Sequence, residues 1–83
     1  MDKHEIELMK QMLATMNIFF KVSDDKFVQV VSITRRDDEE EFGECANLRN
    51  GTYAHLPDCE LSYFVIIKDF KDYVDIYAKI MNG

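Results

Sequence analysis

The spacing of apolar residues changes twice along this chain, from a helical period to a strand period and back to a helical one. Near the start, one helical stripe is formed by Ile6, Met9, Leu13 and Met16. Asp2 and Glu5 have the spacing of a capping box, so we predict a first helix over about residues 3–16. Near the end, Asp69 is a candidate N-cap for a second helix. Its broad apolar stripe comprises Phe70, Tyr73, Val74, Tyr77 and Met81, widened by Ile76 and Ile80.

Between the two helices, apolar residues alternate with a period of two, which is typical of strands. One strand spans residues 18–22, and a turn over residues 23–25 joins it to a second strand over residues 27–34. We expect these strands to pair as a hairpin, with the second inside the sheet. On the second strand, one face carries Phe27, Val31 and Ile33 and the other carries Val28 and Val30. Residues 61–68 are apolar on both faces, which predicts a central strand.

The segment between these strands allows two interpretations. Asn50 and Gly51 form the strongest short hairpin signal in the chain and would join strands over residues 44–48 and 52–56. Alternatively, the acids of residues 38–41 would suit the first turn of a helix, although Gly43 weakens that helix. We favour the hairpin, which gives five strands.

These patterns predict a single α+β domain over residues 1–83. It has an N-terminal helix, an antiparallel sheet of three to five strands, and a C-terminal helix packed on the sheet.

The charge of the chain is concentrated in one segment. Residues 37–60 hold eight carboxylates against the single basic Arg49, a balance of −7, while the rest of the chain has eight acids against nine bases and sums to +1. An acidic block of this kind attracts basic protein surfaces and repels phosphates. We therefore expect no direct binding to nucleic acid or to an anionic membrane.

Five consecutive acids, residues 37–41, lie at the centre of this segment. In an extended loop their carboxylates would be spaced like the charges of a phosphate backbone, which is the geometry of nucleic-acid mimicry. The alternative is a solvated loop that only confers solubility, and Arg35 and Arg36 could pair with it locally. The predicted partner-binding residues are Asp37, Asp38, Glu39, Glu40, Glu41 and Glu44.

Cys45, His55 and Cys59 are the residue types that zinc binds, but their spacing matches no closed zinc motif. The same residues could supply a thiol nucleophile and a base, yet Pro57 separates His55 from Cys59 and no third residue is evident to orient the histidine. Two cysteines are too few for a secreted disulfide scaffold, so both are expected to be thiols in the cytoplasm. We predict no catalytic residue, no cofactor and no metal.

The function that these features predict is that of a small acidic, non-catalytic protein-binding module occupying a basic, nucleic-acid-binding surface of another protein. In size and charge the chain resembles acidic inhibitor proteins such as phage anti-defence and immunity proteins, and this resemblance assigns no residue. An alternative is a homo-oligomeric structural protein, because Tyr63, Tyr73 and Tyr77 are suited to a homodimer contact. A second alternative is a small metal-binding protein or enzyme that uses Cys45, His55 and Cys59.

Overall fold

Two helices flank a five-stranded antiparallel sheet, which confirms the predicted α+β class. The computed structural model describes residues 1–38 and 41–82. The strand order across the sheet is β4-β3-β2-β1-β5, so three sequential hairpins are extended by β5 beside β1. The elements are α1 (Lys3–Leu13), β1 (Asn17–Ser23), β2 (Lys26–Asp38), β3 (Glu41–Leu48), β4 (Tyr53–His55), two 3-10 helices (Leu56–Asp58 and Leu61–Tyr63), β5 (Phe64–Ile67) and α2 (Phe70–Asn82).

Each face of the sheet is covered by one helix, because adjacent residues of a strand point to opposite faces. Ile18 of β1 packs in a core with Ile6 and Met9 of α1, which we call the α1-side core. Its neighbour Phe19 packs in a smaller core with Ile76 of α2, which we call the α2-side core. The larger α1-side core also contains Val30, Ala46, Leu48, Ala54, Leu56, Cys59 and Phe64.

The predicted helix signals hold at both N-termini. The Asp2 side chain accepts a hydrogen bond from the backbone N–H of Glu5 at 2.8 Å, and the Glu5 side chain accepts one from the N–H of Asp2 at 3.1 Å, which completes the capping box. The carboxylate of Asp69 accepts a hydrogen bond from the N–H of Asp72 at 3.0 Å. Helix α1 ends at Leu13, earlier than predicted, because the chain must turn before β1 begins at Asn17.

The face that α2 turns to the sheet is narrower than its predicted apolar stripe. Ile76 is buried, whereas Tyr73, Val74 and Tyr77 are exposed. The sequence pattern gives the width of the apolar arc but not the part of it that a neighbour covers. The side chains that complete the predicted stripe, Phe70, Ile80 and Met81, lie outside the described residues.

The prediction of a central strand over residues 61–68 is wrong. This segment begins with the 3-10 helix Leu61–Tyr63, and β5 is an edge strand that pairs only with β1 among the described strands. It is nevertheless apolar on both faces, since Phe64 packs in the α1-side core and Ile67 in the α2-side core.

Strand β2 lies inside the sheet as predicted, but it contains a bulge. Val30 pairs with Leu48 and Ser32 pairs with Asn47, which leaves Val31 as an extra residue that is 54% exposed. The bulge shifts the alternation, so Ile33 packs against the α1-side core with Val30 instead of sharing the face of Phe27 as predicted.

The hairpin interpretation of the central segment is confirmed, and its helix alternative is wrong. Strands β3 and β4 are joined at Asn50 and Gly51, where Gly51 has a φ of 89°. The Asn50 side-chain oxygen accepts hydrogen bonds from the backbone N–H of Thr52 at 3.0 Å and from its hydroxyl at 2.6 Å, so this turn is stabilised locally.

Candidate functional site

The acidic run predicted from the sequence lies at the end of the hairpin formed by β2 and β3. The ladder between these strands continues through the pairs Asp37–Phe42 and Asp38–Glu41. We call residues 37–41 the acidic tip. Glu39 and Glu40 lie outside the described residues, and so do the side chains of Asp38 and Glu41. The tip is therefore joined to the sheet by paired strands on both sides, and Asp37, Asp38 and Glu41 are strand residues and not part of a loop.

Among the five side chains of the acidic tip, the structure describes that of Asp37. It is 61% exposed and accepts a hydrogen bond from the Nε of Arg35 at 3.1 Å, and Arg35 is itself 63% exposed. Solvent screens such a pair strongly, so it offsets little of the field of the tip. Arg36, the other candidate for local pairing with the tip, places its guanidinium carbon 3.9 Å from the ring centroid of Tyr53 in β4.

Glu44 lies apart from the tip. Glu44 follows the last residue of the tip by three positions and pairs with Arg35 in the ladder. Its side chain is only 22% exposed. Its carboxylate is 3.2 Å from the Nζ of Lys10 in α1. This ion pair links α1 to β3. The hydrogen bond and charge of Glu44 raise the pKa of Lys10. The structure thus separates Glu44 from the other predicted partner-binding residues.

Gly43 sets the geometry at the base of the tip, whereas the sequence pattern indicates it only as a residue that weakens a helix. Its φ is +117°, which favours glycine. A Cβ at this position would lie 3.3 Å from Cγ of Pro57 and 3.7 Å from Nε2 of His55. A glycine inside an alternating strand pattern is the signal that could have indicated this close approach.

The residues of the alternative zinc or thiol site lie close to Gly43. Cys45 pairs with His55 in the ladder between β3 and β4, and Cys45 and Cys59 are both buried. His55 Nδ1 is 2.7 Å from a carboxylate oxygen of Asp58, so the histidine does have the orienting residue that the sequence did not make evident. The α-ammonium of Met1 donates to the carbonyl oxygen of Cys59.

Burial raises the pKa of the Cys59 thiol, the α-ammonium of Met1 opposes this shift, and Asp58 and Cys45 make smaller upward contributions. The thiolate is the form that binds metal or attacks an electrophile, so this environment disfavours both uses. Over residues 1–38 and 41–82, no group of three or more histidine, cysteine or acidic side chains is arranged to hold a metal ion.

The three tyrosines of the predicted interface are all exposed, with Tyr63 and Tyr73 at 42% and Tyr77 at 50%. The rings of Tyr73 and Tyr77 stack on α2, with centroids 5.9 Å apart and an angle of 15° between the ring planes. They form one side of a groove that also includes Arg49.

In the part of the chain that the structure describes, neither helix has the length and apolar character needed to cross a bilayer. Comparison with protein-family models, with curated proteins and with solved structures finds no significant match to this chain.

Proposed function

We propose that this chain is a small, non-catalytic protein-binding module whose acidic tip occupies a basic, nucleic-acid-binding surface of another protein. The observation that carries the proposal is the continuation of the β2–β3 ladder to Asp38 and Glu41. This pairing makes Asp37, Asp38 and Glu41 part of the sheet. A binding segment whose two ends are held by paired strands loses less conformational entropy when it meets its partner.

The local density of charge supports the nucleic-acid-mimic form of this proposal. Residues 37–41 are five consecutive acids, so five carboxylates belong to one short stretch of chain. A protein surface that binds a phosphate backbone presents Lys and Arg side chains, and a dense group of carboxylates attracts the same side chains.

The position of the charge determines the expected kinetics. The segment that contains the tip has a balance of −7, whereas the rest of the chain is close to neutral. Such a field accelerates encounter with a basic surface and is screened by salt over about 8–10 Å near physiological ionic strength. Binding should therefore be fast and weakened by salt.

The experiment compares two variants of equal net charge. The tip variant carries Asn or Gln at residues 38–41, and the control variant carries the same changes at exposed acids outside the tip. Each neutralises four acids and changes the net charge from −6 to −2. The control positions are Asp24, Asp25, Glu60 and Asp75.

Both variants and the unmodified chain are used to capture proteins from nuclease-treated lysate of the source cells, with washes of increasing salt. We expect a basic nucleic-acid-binding protein to be retained by the unmodified chain and by the control, and to elute with salt. With that protein purified, the tip variant should associate about tenfold more slowly or worse. Nucleic acid should also compete with the chain for it. Equal association rates for the tip and control variants would contradict the proposal.

The exposed side chains of α2 favour a second candidate, a homo-oligomeric protein. Tyr73, Val74 and Tyr77 are each more than 40% exposed and adjacent on one helix, and tyrosine is enriched in protein interfaces. Light scattering over a range of concentrations is the test. A dimer that Tyr77→Ser converts to a monomer would support this candidate, and a monomer at several hundred micromolar would exclude it.

A further inference from the structure

A groove lies between α2 and the face of the sheet that carries the α2-side core. Its volume is about 460 Å³, which is within the range of about 300–1,000 Å³ for small-molecule sites. Residues from four separate parts of the chain line it. Its aromatic residues are Phe19, Phe27, Tyr73 and Tyr77, and its polar residues are Gln29, Arg49 and Asn50.

The aromatic residues form two surfaces that a flat apolar group could contact. Phe19 and Phe27 are each 7% exposed and belong to the packed α2-side core, so they form a rigid floor. The stacked rings of Tyr73 and Tyr77 form the wall on α2. An aromatic ring placed between these surfaces would gain apolar burial and ring contacts.

Arg49 gives the groove a cationic end, and its position is fixed by hydrogen bonds. Its Nη1 donates to Oε1 of Gln29 at 3.0 Å, and its backbone N–H donates to the Gln29 carbonyl at 2.9 Å. Gln29 is held in turn, because its Nε2 donates to Oδ1 of Asn17 at 3.3 Å. Among the described residues, no carboxylate forms an ion pair with Arg49, so most of the donors of the guanidinium fork remain for a ligand.

We propose that this groove binds a small aromatic monocarboxylic acid, with its ring between the phenylalanine floor and the tyrosine wall and its carboxylate on the guanidinium of Arg49. A planar fork of N–H donors matches a carboxylate in two parallel hydrogen bonds. A single charge suits this protein better than a polyanion, because the chain has a net charge of −6.

The groove and the acidic tip lie at opposite ends of β3. Arg49 follows Leu48, the last residue of the strand, and Glu41 is the first. Glu41 and Leu48 are seven residue steps apart along the strand, or about 23 Å, which exceeds the screening length at physiological salt. The proposal therefore does not depend on the function of the tip.

The test is an NMR titration of the isotopically labelled chain with 2-naphthoate and, in parallel, with 2-naphthylmethanol, which keeps the ring but carries no charge. We expect saturable shifts with naphthoate in the amide signals of Gln29, Arg49, Asn50, Tyr73 and Tyr77. The alcohol should bind at least about tenfold more weakly, because it cannot form a charge-assisted pair of hydrogen bonds. Unsaturated or scattered shifts at several millimolar naphthoate, or equal affinity for the two compounds, would overturn the proposal.

Two variants distinguish the guanidinium contact from a general effect of charge. Arg49→Gln should weaken naphthoate binding by about tenfold and leave binding of the alcohol unchanged. Arg35→Gln removes the same charge from an exposed position outside the groove and should change neither affinity. Equal naphthoate affinity for the Arg49→Gln variant and the unmodified chain would contradict the assignment. The tip variant should bind naphthoate normally, so failure of either proposal is recognised separately.

Discussion

Replacing Leu56 by alanine is expected to lower the free energy of unfolding by about 2–5 kcal/mol. Leu56 is fully buried, at 0% exposure, in the α1-side core. It begins the 3-10 helix that follows β4, where its carbonyl accepts hydrogen bonds from the α-ammonium of Met1 and the N–H of Cys59. These contacts hold the backbone in place, so the surroundings cannot easily close the cavity that the shorter side chain would leave.

Urea unfolding followed by circular dichroism measures this loss. A domain of this size has a total stability of about 4–12 kcal/mol, so the variant should unfold at a much lower urea concentration. Leu61→Ala is the matched control, because it removes the same atoms from a side chain that is 41% exposed. Its expected cost is below about 1 kcal/mol, as for most substitutions of exposed residues. Similar losses for the two variants would show that Leu56 is not a core residue.

Gly43→Ala is expected to destabilise the chain by at least about 1–3 kcal/mol. The substitution introduces two costs, a non-glycine residue at a φ of +117° and a Cβ only 3.3 Å from Cγ of Pro57. The second cost arises because β3 passes close to the 3-10 helix Leu56–Asp58 at the base of the acidic tip. A shift of either segment to relieve the contact would disturb the packing of Leu56.

Gly51→Ala is the control for the backbone cost alone. Gly51 has a φ of +89°, and a Cβ there would meet no atom within 4 Å. Both variants are compared by thermal and urea unfolding. We expect Gly43→Ala to be the more destabilising of the two, and the reverse order would show that Pro57 does not constrain β3.

The parts of the fold that the sequence could predict are those with a local physical cause. The capping box of Asp2 and Glu5, the N-cap at Asp69 and the turn at Asn50 and Gly51 each arise from contacts between residues a few positions apart. The place of β5 at the sheet edge depends on pairing with β1, more than 40 residues earlier in the chain, and no local pattern specifies it. Its two apolar faces indicated burial correctly, but helices on both sides of the sheet produce the same pattern as a central position.

The same distinction between local and long-range causes applies to the candidate sites. The concentration of acids was evident from composition, whereas their place at the end of paired strands was not, because acidic residues have low strand propensity. The groove could not be predicted, since Phe19, Gln29, Arg49 and Tyr77 come from four separate segments. Arg49 was visible only as the single basic residue among the acids of residues 37–60.

The bulge at Val31 has a consequence for recognising chains related to this one. Val30 and Ser32 already lie on opposite faces and pair with the consecutive residues Leu48 and Asn47. A chain that lacks the residue equivalent to Val31 could therefore keep every other side chain on its present face, with a regular ladder in place of the bulge. An alignment without a gap at this point would match side chains that point to opposite faces of the sheet, from Val31 to the acidic tip. A single-residue gap in the middle of a strand would be the correct alignment of two such chains.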